Sequence, residues 1–451
     1  MAIEDFRKLR LGFVNLVMLG NFEKEAEEEA VRQSNKAKKF LEDLGAEVYS
    51  NFPAVNTVDE ARSTWHFFKE KNIDGVVLFN GTFSLGNLMI EIIRNIDLPY
   101  LVWGMEEYLI NNGLLTGSMI GTMPAGPIFK NLGKKFTFAY GTVGKKEGEE
   151  KVKVFMRVLR AIAYMREARI GLIGSRPDGF EISGFDELSI KNIFGTTINK
   201  VSMSELLGLI DGMDPKKVEA DLKVQKEIFN TGSTSDDDMR SLSRIYLAVK
   251  EISDKYSLSA YAPQCWPELR MDRKTPMCPA NGRITVDGVM ASCECDMDCT
   301  LTMLLLYALT GNTPWTNDFV NKIEENDSLL FWHCGNASYN LSDDKPKIEV
   351  VFEGPAQTAT LKKGTATICR LNHFKGDFEV FAGIGEAIDS RPMLKGSNMY
   401  LKMAGGNMEF IKLMLDQGVP HHNVAIHGDL SEELEEFANL MGLSSTIRKQ
   451  E

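Results

Sequence analysis

Leu11-Gly-Phe-Val-Asn-Leu-Val-Met-Leu19, a charged stretch over 23–44, then Gly45-Ala-Glu-Val-Tyr49 open the chain and decide its fold. The first run is nearly all apolar, as a strand buried on both faces requires. In the second, Ala26, Ala30, Ala37, Leu41 and Leu44 recur at helical spacing, and Gly45 suits the left-handed position after a helix. Residues 46–49 read as a second strand. The alternation then repeats, with a helix over 58–71, a strand over 75–79, a helix over 85–96 and a strand over 99–103. Strands and helices alternating over short connections build βαβ units and a parallel sheet. Ligands of such sheets sit at the carboxyl ends of the strands. The loop Asn80-Gly81-Thr82 is so placed, which makes Asn80 and Thr82 candidate substrate contacts. No G-x-G-x-x-G or Walker loop follows a strand, so nucleotide binding is not indicated.

A second α/β unit follows a long helix over 147–167. It comprises a strand over 169–173, a turn-rich loop Gly174–Gly179, a helix over 236–255 capped from Ser233, Thr234 or Ser235, and a strand over 258–262. Residues 284–291 read as a hairpin turning at Asp287-Gly288, and 301–309 as a buried helix ending at Gly311. The final third changes texture. Short strands over 347–352, 358–361, 365–371, 377–384 and 399–402 point to a barrel or sandwich. A helix over 408–416, a strand over 423–426 and a helix over 431–441 close the chain. The expected class is α/β, with two Rossmann-like α/β domains with parallel sheets followed by a C-terminal β-barrel-like domain. The domains are placed at 1–168, 169–345 and 346–451, the last closing the active site.

Composition narrows the function. With 451 residues, 43% hydrophobic and 25% charged, the chain has apolar material for large cores, which excludes disorder. A net charge of −12 argues against a general nucleic-acid or anionic-membrane binder. Seven cysteines, an odd number, do not form a disulfide framework and suit a reducing compartment. The start, Met-Ala-Ile-Glu-Asp-Phe-Arg, has no apolar core of a secretory signal, and the longest apolar run, 301–309, is too short to cross a bilayer. A cytoplasmic protein is expected.

The chemistry-bearing residues gather late in the chain. Three of six histidines, His421, His422 and His427, fall within ten residues of one another. Neutral imidazoles on such a loop suit Mn, Zn, Fe and Ni. In Ser292-Cys293-Glu294-Cys295-Asp296-Met297-Asp298-Cys299, Asp296 and Asp298 read as caps of the following helix. Glu294 lies in a small and apolar run, where a carboxylate needs a partner such as a metal. The cysteine spacing matches neither structural zinc nor ferredoxin patterns. Asp318 reads as a loop residue and His333 as part of an aromatic strand.

The segment from Ser292-Cys-Glu294-Cys-Asp296 through Leu301-Thr-Met-Leu-Leu-Leu-Tyr-Ala-Leu-Thr-Gly311 to Asn317-Asp318 resembles the metal segment of the L-fucose isomerase/L-arabinose isomerase superfamily. A Glu opens an apolar helix and an Asp follows at similar spacing. The stretch 418–442 resembles that family's third ligand motif. The resemblance is specific over 290–335 and 405–442, and is one of architecture over the first 260 residues. It implies Glu294, Asp318 and His422 as ligands of Mn²⁺ or another divalent cation, with the two carboxylates as catalytic bases. His333 and His421 are further candidates for metal or substrate, and Gln264 and Trp266 join Asn80 and Thr82 as substrate contacts. The implied activity is isomerisation of a monosaccharide of the L-fucose, D-arabinose or L-arabinose type, in a homo-oligomer, trimer or hexamer. The alternatives are a sulfonated or phosphorylated sugar held by Arg176, Arg270 or Arg273, and a non-catalytic sugar-binding protein.

Overall fold

Uninterrupted apolar runs become strands covered on both faces. A computed structural model of the chain describes residues 2–20, 24–107, 109–110, 113–352, 354–389 and 392–449. It contains two compact units. The first spans Arg7–Ala163 with Glu436–Gly442, and the second is built on Tyr164–Glu435.

In the first unit, strands β1 (Leu9–Leu16), β2 (Ala46–Tyr49), β3 (Gly75–Asn80), β4 (Tyr100–Gly104) and β5 (Thr137–Tyr140) form one parallel sheet in the order β2-β1-β3-β4-β5. Every residue of β3 is buried, as the missing polar face of its sequence requires. The helix Val58–Lys71 starts at a capping box. The Thr57 side chain accepts from the Glu60 N–H at 3.2 Å, and the Glu60 carboxylate accepts from the Thr57 N–H at 2.9 Å.

In the second unit, β6 (Arg169–Ile173), β7 (Thr197–Val201), β8 (Ala260–Pro263) and β9 (Met290–Ala291) form a second parallel sheet in the order β9-β8-β6-β7. The hairpin expected over 284–291 is not formed. Its first half belongs to a helix, Cys278–Val286, with Pro279 in the first turn, and Gly288 leaves it at φ 89°. Proline fits a helix start and glycine a left-handed exit, and both outweigh the local turn signal of Asp287-Gly288. Next comes the helix Met297–Thr310, buried from Met297 to Leu309 and closed by Gly311 at φ 73°. A helix apolar on all sides has to be surrounded. Here β8 and β9 of the sheet pack on it, and so do strands of the barrel that follows.

The barrel begins earlier than the texture change at 346. Its strands are β10 (Trp315–Ile323), β11 (Ser328–His333), β14 (Gly364–Phe374), β15 (Asp377–Ile388), β16 (Ser397–Met403) and β17 (His422–His427), with β12 (Lys347–Val351), β13 (Gly354–Thr360) and β18 (Ser444–Arg448) attached. The closed circuit is β16-β11-β10-β17-β14-β15 and back to β16, every pairing antiparallel. Closure leaves no open edge among those six strands. Asp318, expected in a loop, lies inside β10. The run Trp315 to Ile323 carries polar residues at most central positions, which hides its strand character. Among the described residues, no helix is long and apolar enough to cross a membrane.

Candidate active site

The carboxyl ends of β6 and β8 converge on the turn Ser292–Asp296. The Ser292 N–H bonds to Tyr261 O at 3.2 Å and the Cys295 N–H to Pro263 O at 3.2 Å. Glu294 and Cys295 are both left-handed, each at φ 54°. Two successive non-glycine residues in that region store strain that surrounding contacts must hold. The Cys295 Sγ faces Ile173 O and Ala262 O at 3.6 and 3.7 Å, and is fixed from below. The turn brings the Glu294 carboxylate to Trp266 and His422. Trp266 Nε1 donates to its Oε1 at 3.3 Å, and Oε2 is buried without a hydrogen-bond partner.

The barrel supplies the other groups by register. Asp318 of β10 is directly opposite His422 of β17, and directly opposed residues share one face of the sheet. His422 Nε2 stands 3.4 Å from Glu294 Oε2 and 3.6 Å from Asp318 Oδ1. Among the described residues Asp318 Oδ1, like Glu294 Oε2, has no hydrogen-bond partner. The atoms gather in two overlapping groups, Glu294 with His421 and His422, and Asp318 with His333 and His422, each within 4.8 Å. His422 is common to both.

Asp296 decides what His422 presents. The expectation of a simple cap is too narrow. Its Oδ1 does accept from the Cys299 N–H at 2.9 Å, as a cap does. The same carboxylate is paired by Arg370 of β14 at 3.0 and 3.1 Å and touches His422 Nδ1 at 3.0 Å. Arg370 also donates to His422 O at 3.0 Å. Against a carboxylate, His422 Nδ1 must be the donor, so Nε2 carries the lone pair. In the neutral ring the Nε2 lone pair therefore faces Glu294 Oε2 and Asp318 Oδ1, so three donor atoms point at one another. A divalent cation fits that donor set, and a carboxylate behind the ligating imidazole is the usual support of one.

The two acids on the helix start diverge. Burial alone would raise the Asp296 carboxyl, but the Arg370 guanidinium and His422 hold it well below the usual range. Burial pushes Asp298 up to about 7. Burial likewise works against charge on His333, yet the Cys334 sulfur, Asp318 and Glu294 carry it up to about 9. The Cys334 thiol is held well below its ordinary range, mostly by the bond from Cys278, with His333 and Arg270 adding to it.

The remaining candidates are placed as follows. His421 is exposed beside Phe180, whose ring also meets Trp266 edge-on at 5.5 Å. Gln264 is engaged locally: its Oε1 accepts from the Ser175 N–H at 2.8 Å and its Nε2 donates to Glu268 at 2.9 Å. Asn80 and Thr82 belong to the first unit. Asn80 Oδ1 accepts from Ser84 Oγ at 2.9 Å, and Thr82 Oγ1 accepts from the Met18 N–H at 2.9 Å. Among the arginines, Arg273 is bound to Asp211 at 2.5 and 2.9 Å, and Arg176 stands 3.9 Å from Glu181. Arg270 lies over the Phe352 ring at 4.1 Å and has no carboxylate partner among the described residues. Sequence reasoning missed Arg370. A lone cation in Thr-Ile-Cys-Arg-Leu was its signal, of the same kind that singled out Glu294.

No protein-family profile matches the chain. The sulfoquinovose isomerase of Priestia aryabhattai is 24% identical over 422 residues, covering 91% of this chain and 94% of that protein. That of Alkalicoccus urumqiensis is 23% identical over 376 residues, 82% and 85% of the two chains. The L-arabinose isomerase of Actinobacillus succinogenes is 21% identical over 404 residues, 83% and 81%. Over most of its length the chain is similar to sugar isomerases of the fucose/arabinose isomerase-like kind. The residues that carry the resemblance, Glu294, Asp318 and His422, meet at the His422 imidazole.

Asp296 should therefore behave as more than a cap. Asp296→Ala leaves the buried Arg370 charge unpaired and should cost about 3–5 kcal/mol, read by thermal or denaturant unfolding. Asp296→Asn keeps the cap but should weaken Mn²⁺ binding by about 10- to 100-fold in a titration. Unchanged Mn²⁺ binding in that variant would refute the supporting role. For Asp298, a folded pKa of about 7 lies above the unfolded value of about 4, so the folded state takes up the proton more readily. Its contribution is present below about pH 4 and is lost as pH rises through 7. Asp298→Asn should thus gain stability over the parent as pH goes from about 5 to about 8, by a few kcal/mol at most. A melting-temperature difference that stays constant with pH would contradict this.

Proposed function

We propose that the chain catalyses divalent-metal-dependent aldose–ketose isomerisation, with Glu294, Asp318 and His422 holding Mn²⁺ or a similar cation. The observation that carries the reading is the meeting of Glu294 Oε2, Asp318 Oδ1 and His422 Nε2, the two oxygens buried without a donor. When bound, the cation supplies Lewis acidity toward the sugar's carbonyl and neighbouring hydroxyl oxygens.

The chain's own residues do the rest. One unpartnered carboxylate oxygen, of Glu294 or Asp318, accepts the proton from C2 of the aldose as the enediol forms. The same proton is then delivered to C1, while a hydroxyl proton passes from O2 to O1 to give the ketose. Trp266 holds Glu294 Oε1 and leaves Oε2 for this work. Asp296 and Arg370 keep the His422 ring oriented. The buried surroundings of His422 and Asp296 strengthen the interactions they make.

For the substrate, the relatives named sulfoquinovose isomerases, together with an Arg270 that has no carboxylate partner among the described residues, favour an aldose bearing a sulfonate. Arg270 is among the charges that lower the Cys334 thiol beside His333, which supports a position near the candidate centre. A guanidinium free of carboxylates is suited to a charge-assisted grip on such an anion. The relatives named L-arabinose isomerases keep neutral sugars as the second reading. The seven cysteines, all free, fit the reducing cytoplasm. We take the working form to be the closed trimer or hexamer that the resemblance implies.

A panel of neutral and sulfonated aldoses assayed with and without chelator tests the proposal. Chelation should abolish turnover and Mn²⁺ restore it. Glu294→Gln should lower turnover at least about a hundredfold with folding intact. Arg270→Gln should raise KM for a sulfonated aldose by roughly 10- to 100-fold, the worth of a charged hydrogen bond, and leave neutral sugars unaffected. Full activity of metal-free protein would overturn the metal reading, and an unchanged KM in the Arg270 variant would overturn the sulfonate reading.

A further inference from the structure

Cys265, Cys278 and Cys334 come from distant stretches and meet beside His333. Cys265 follows β8, Cys278 opens the helix Cys278–Val286, and Cys334 follows β11, whose last residue is His333. The Cys278 and Cys334 sulfurs are 3.2 Å apart, and the Cys334 Sγ is 3.3 Å from His333 Nδ1. One ligand atom of each of Cys278, Cys334 and His333 lies within 4.8 Å of the others. The Cys265 thiol contacts that of Cys278, and its sulfur faces the Met277 N–H at 3.5 Å. Cys265 and Cys278 are buried, and Cys334 is partly exposed, which leaves an access route for a small ion.

Thiols are weak donors and weak acceptors, so hydrogen bonding among them gives little reason for three to gather. Two or three cysteine sulfurs with one imidazole nitrogen are a donor set for thiophilic cations such as Zn²⁺. The set also differs in kind from the oxygen-rich group at Glu294 and Asp318, which suits a harder ion. We infer that Cys278, Cys334 and His333 form a second metal site, for a thiophilic cation, with Cys265 in reach as a fourth ligand. Binding replaces the bond that the Cys334 N–H now makes to His333 Nδ1 at 2.9 Å. Because His333 also belongs to the Asp318–His422 group, an ion among the thiols changes the imidazole available there.

The test uses the reduced, metal-stripped chain and Cd²⁺ alone as probe, read by equilibrium binding and by the ultraviolet charge-transfer band of thiolate-bound cadmium. One Cd²⁺ per chain that carries the band is expected, beside any Cd²⁺ that the oxygen-rich group takes without it. Cys278→Ser and Cys334→Ser should each lose the band and weaken binding by more than about tenfold. Cys369→Ser, in β14 and outside the cluster, should keep both, with circular dichroism confirming that each variant is folded. No Cd²⁺ binding by the reduced parent, binding without the band, or a band retained in both variants would overturn the inference. So would a parent that readily forms a Cys278–Cys334 disulfide but takes up no Cd²⁺ after reduction. The band reports sulfur alone, so these outcomes do not depend on whether Glu294, Asp318 and His422 hold Mn²⁺.

Discussion

Asp296 keeps a negative charge where almost no water reaches it, and three groups from separate parts of the second unit hold it there. The Arg370 guanidinium comes from one barrel strand, the His422 imidazole from the neighbouring strand, and the Cys299 N–H from the helix that Asp296 begins. Taking a carboxylate and a guanidinium out of water is expensive, and such a pair persists only with near-complete hydrogen bonding. Here the pair also fixes which nitrogen of His422 carries the proton. Remove the carboxylate and that choice is lost, together with one polar link between the buried helix and the barrel.

The rest of the candidate site is arranged around that fixed ring. Glu294 reaches it from a strained turn over the carboxyl ends of a parallel sheet. Asp318 reaches it by cross-strand register in the barrel. Among the described residues neither carboxylate is held by an arginine or lysine of its own, and one oxygen of each is unsatisfied. A buried, unsatisfied carboxylate oxygen is costly in a protein that only folds. Two of them facing a histidine lone pair make sense where charge arrives from outside, as a cation and as the proton of a sugar carbon.

Much of the fold was legible because its signals are local. Strand–helix alternation, the glycines at 45 and 311, and the short late strands are read within a dozen residues, and the structure has them. Glu294 stood out by its apolar neighbours, and His422 by its place before a short strand. The misreadings share a cause in long-range contacts. Residues 284–291 looked like a hairpin because a helix start at Cys278-Pro279 lies upstream of that window. Asp318 looked like a loop residue because the partner strand that makes it a strand is 104 positions away at His422. Asp296 looked like a cap because Arg370, 74 positions on, is invisible from the helix start. The thiol cluster joins Cys278 to Cys334 across 56 positions, and no spacing rule covers such a pair.

The central claim is that one cation sits against His422 Nε2, with Asp296 behind the ring. Anomalous diffraction at the manganese edge, from a crystal of the whole chain grown with Mn²⁺, tests this directly. The expected result is one peak per chain, ligated by Glu294 Oε2, Asp318 Oδ1 and His422 Nε2, with the Asp296 oxygens still on Arg370 and outside the coordination sphere. A peak ligated by Asp296, a peak away from His422, or none at saturating Mn²⁺ would contradict the account.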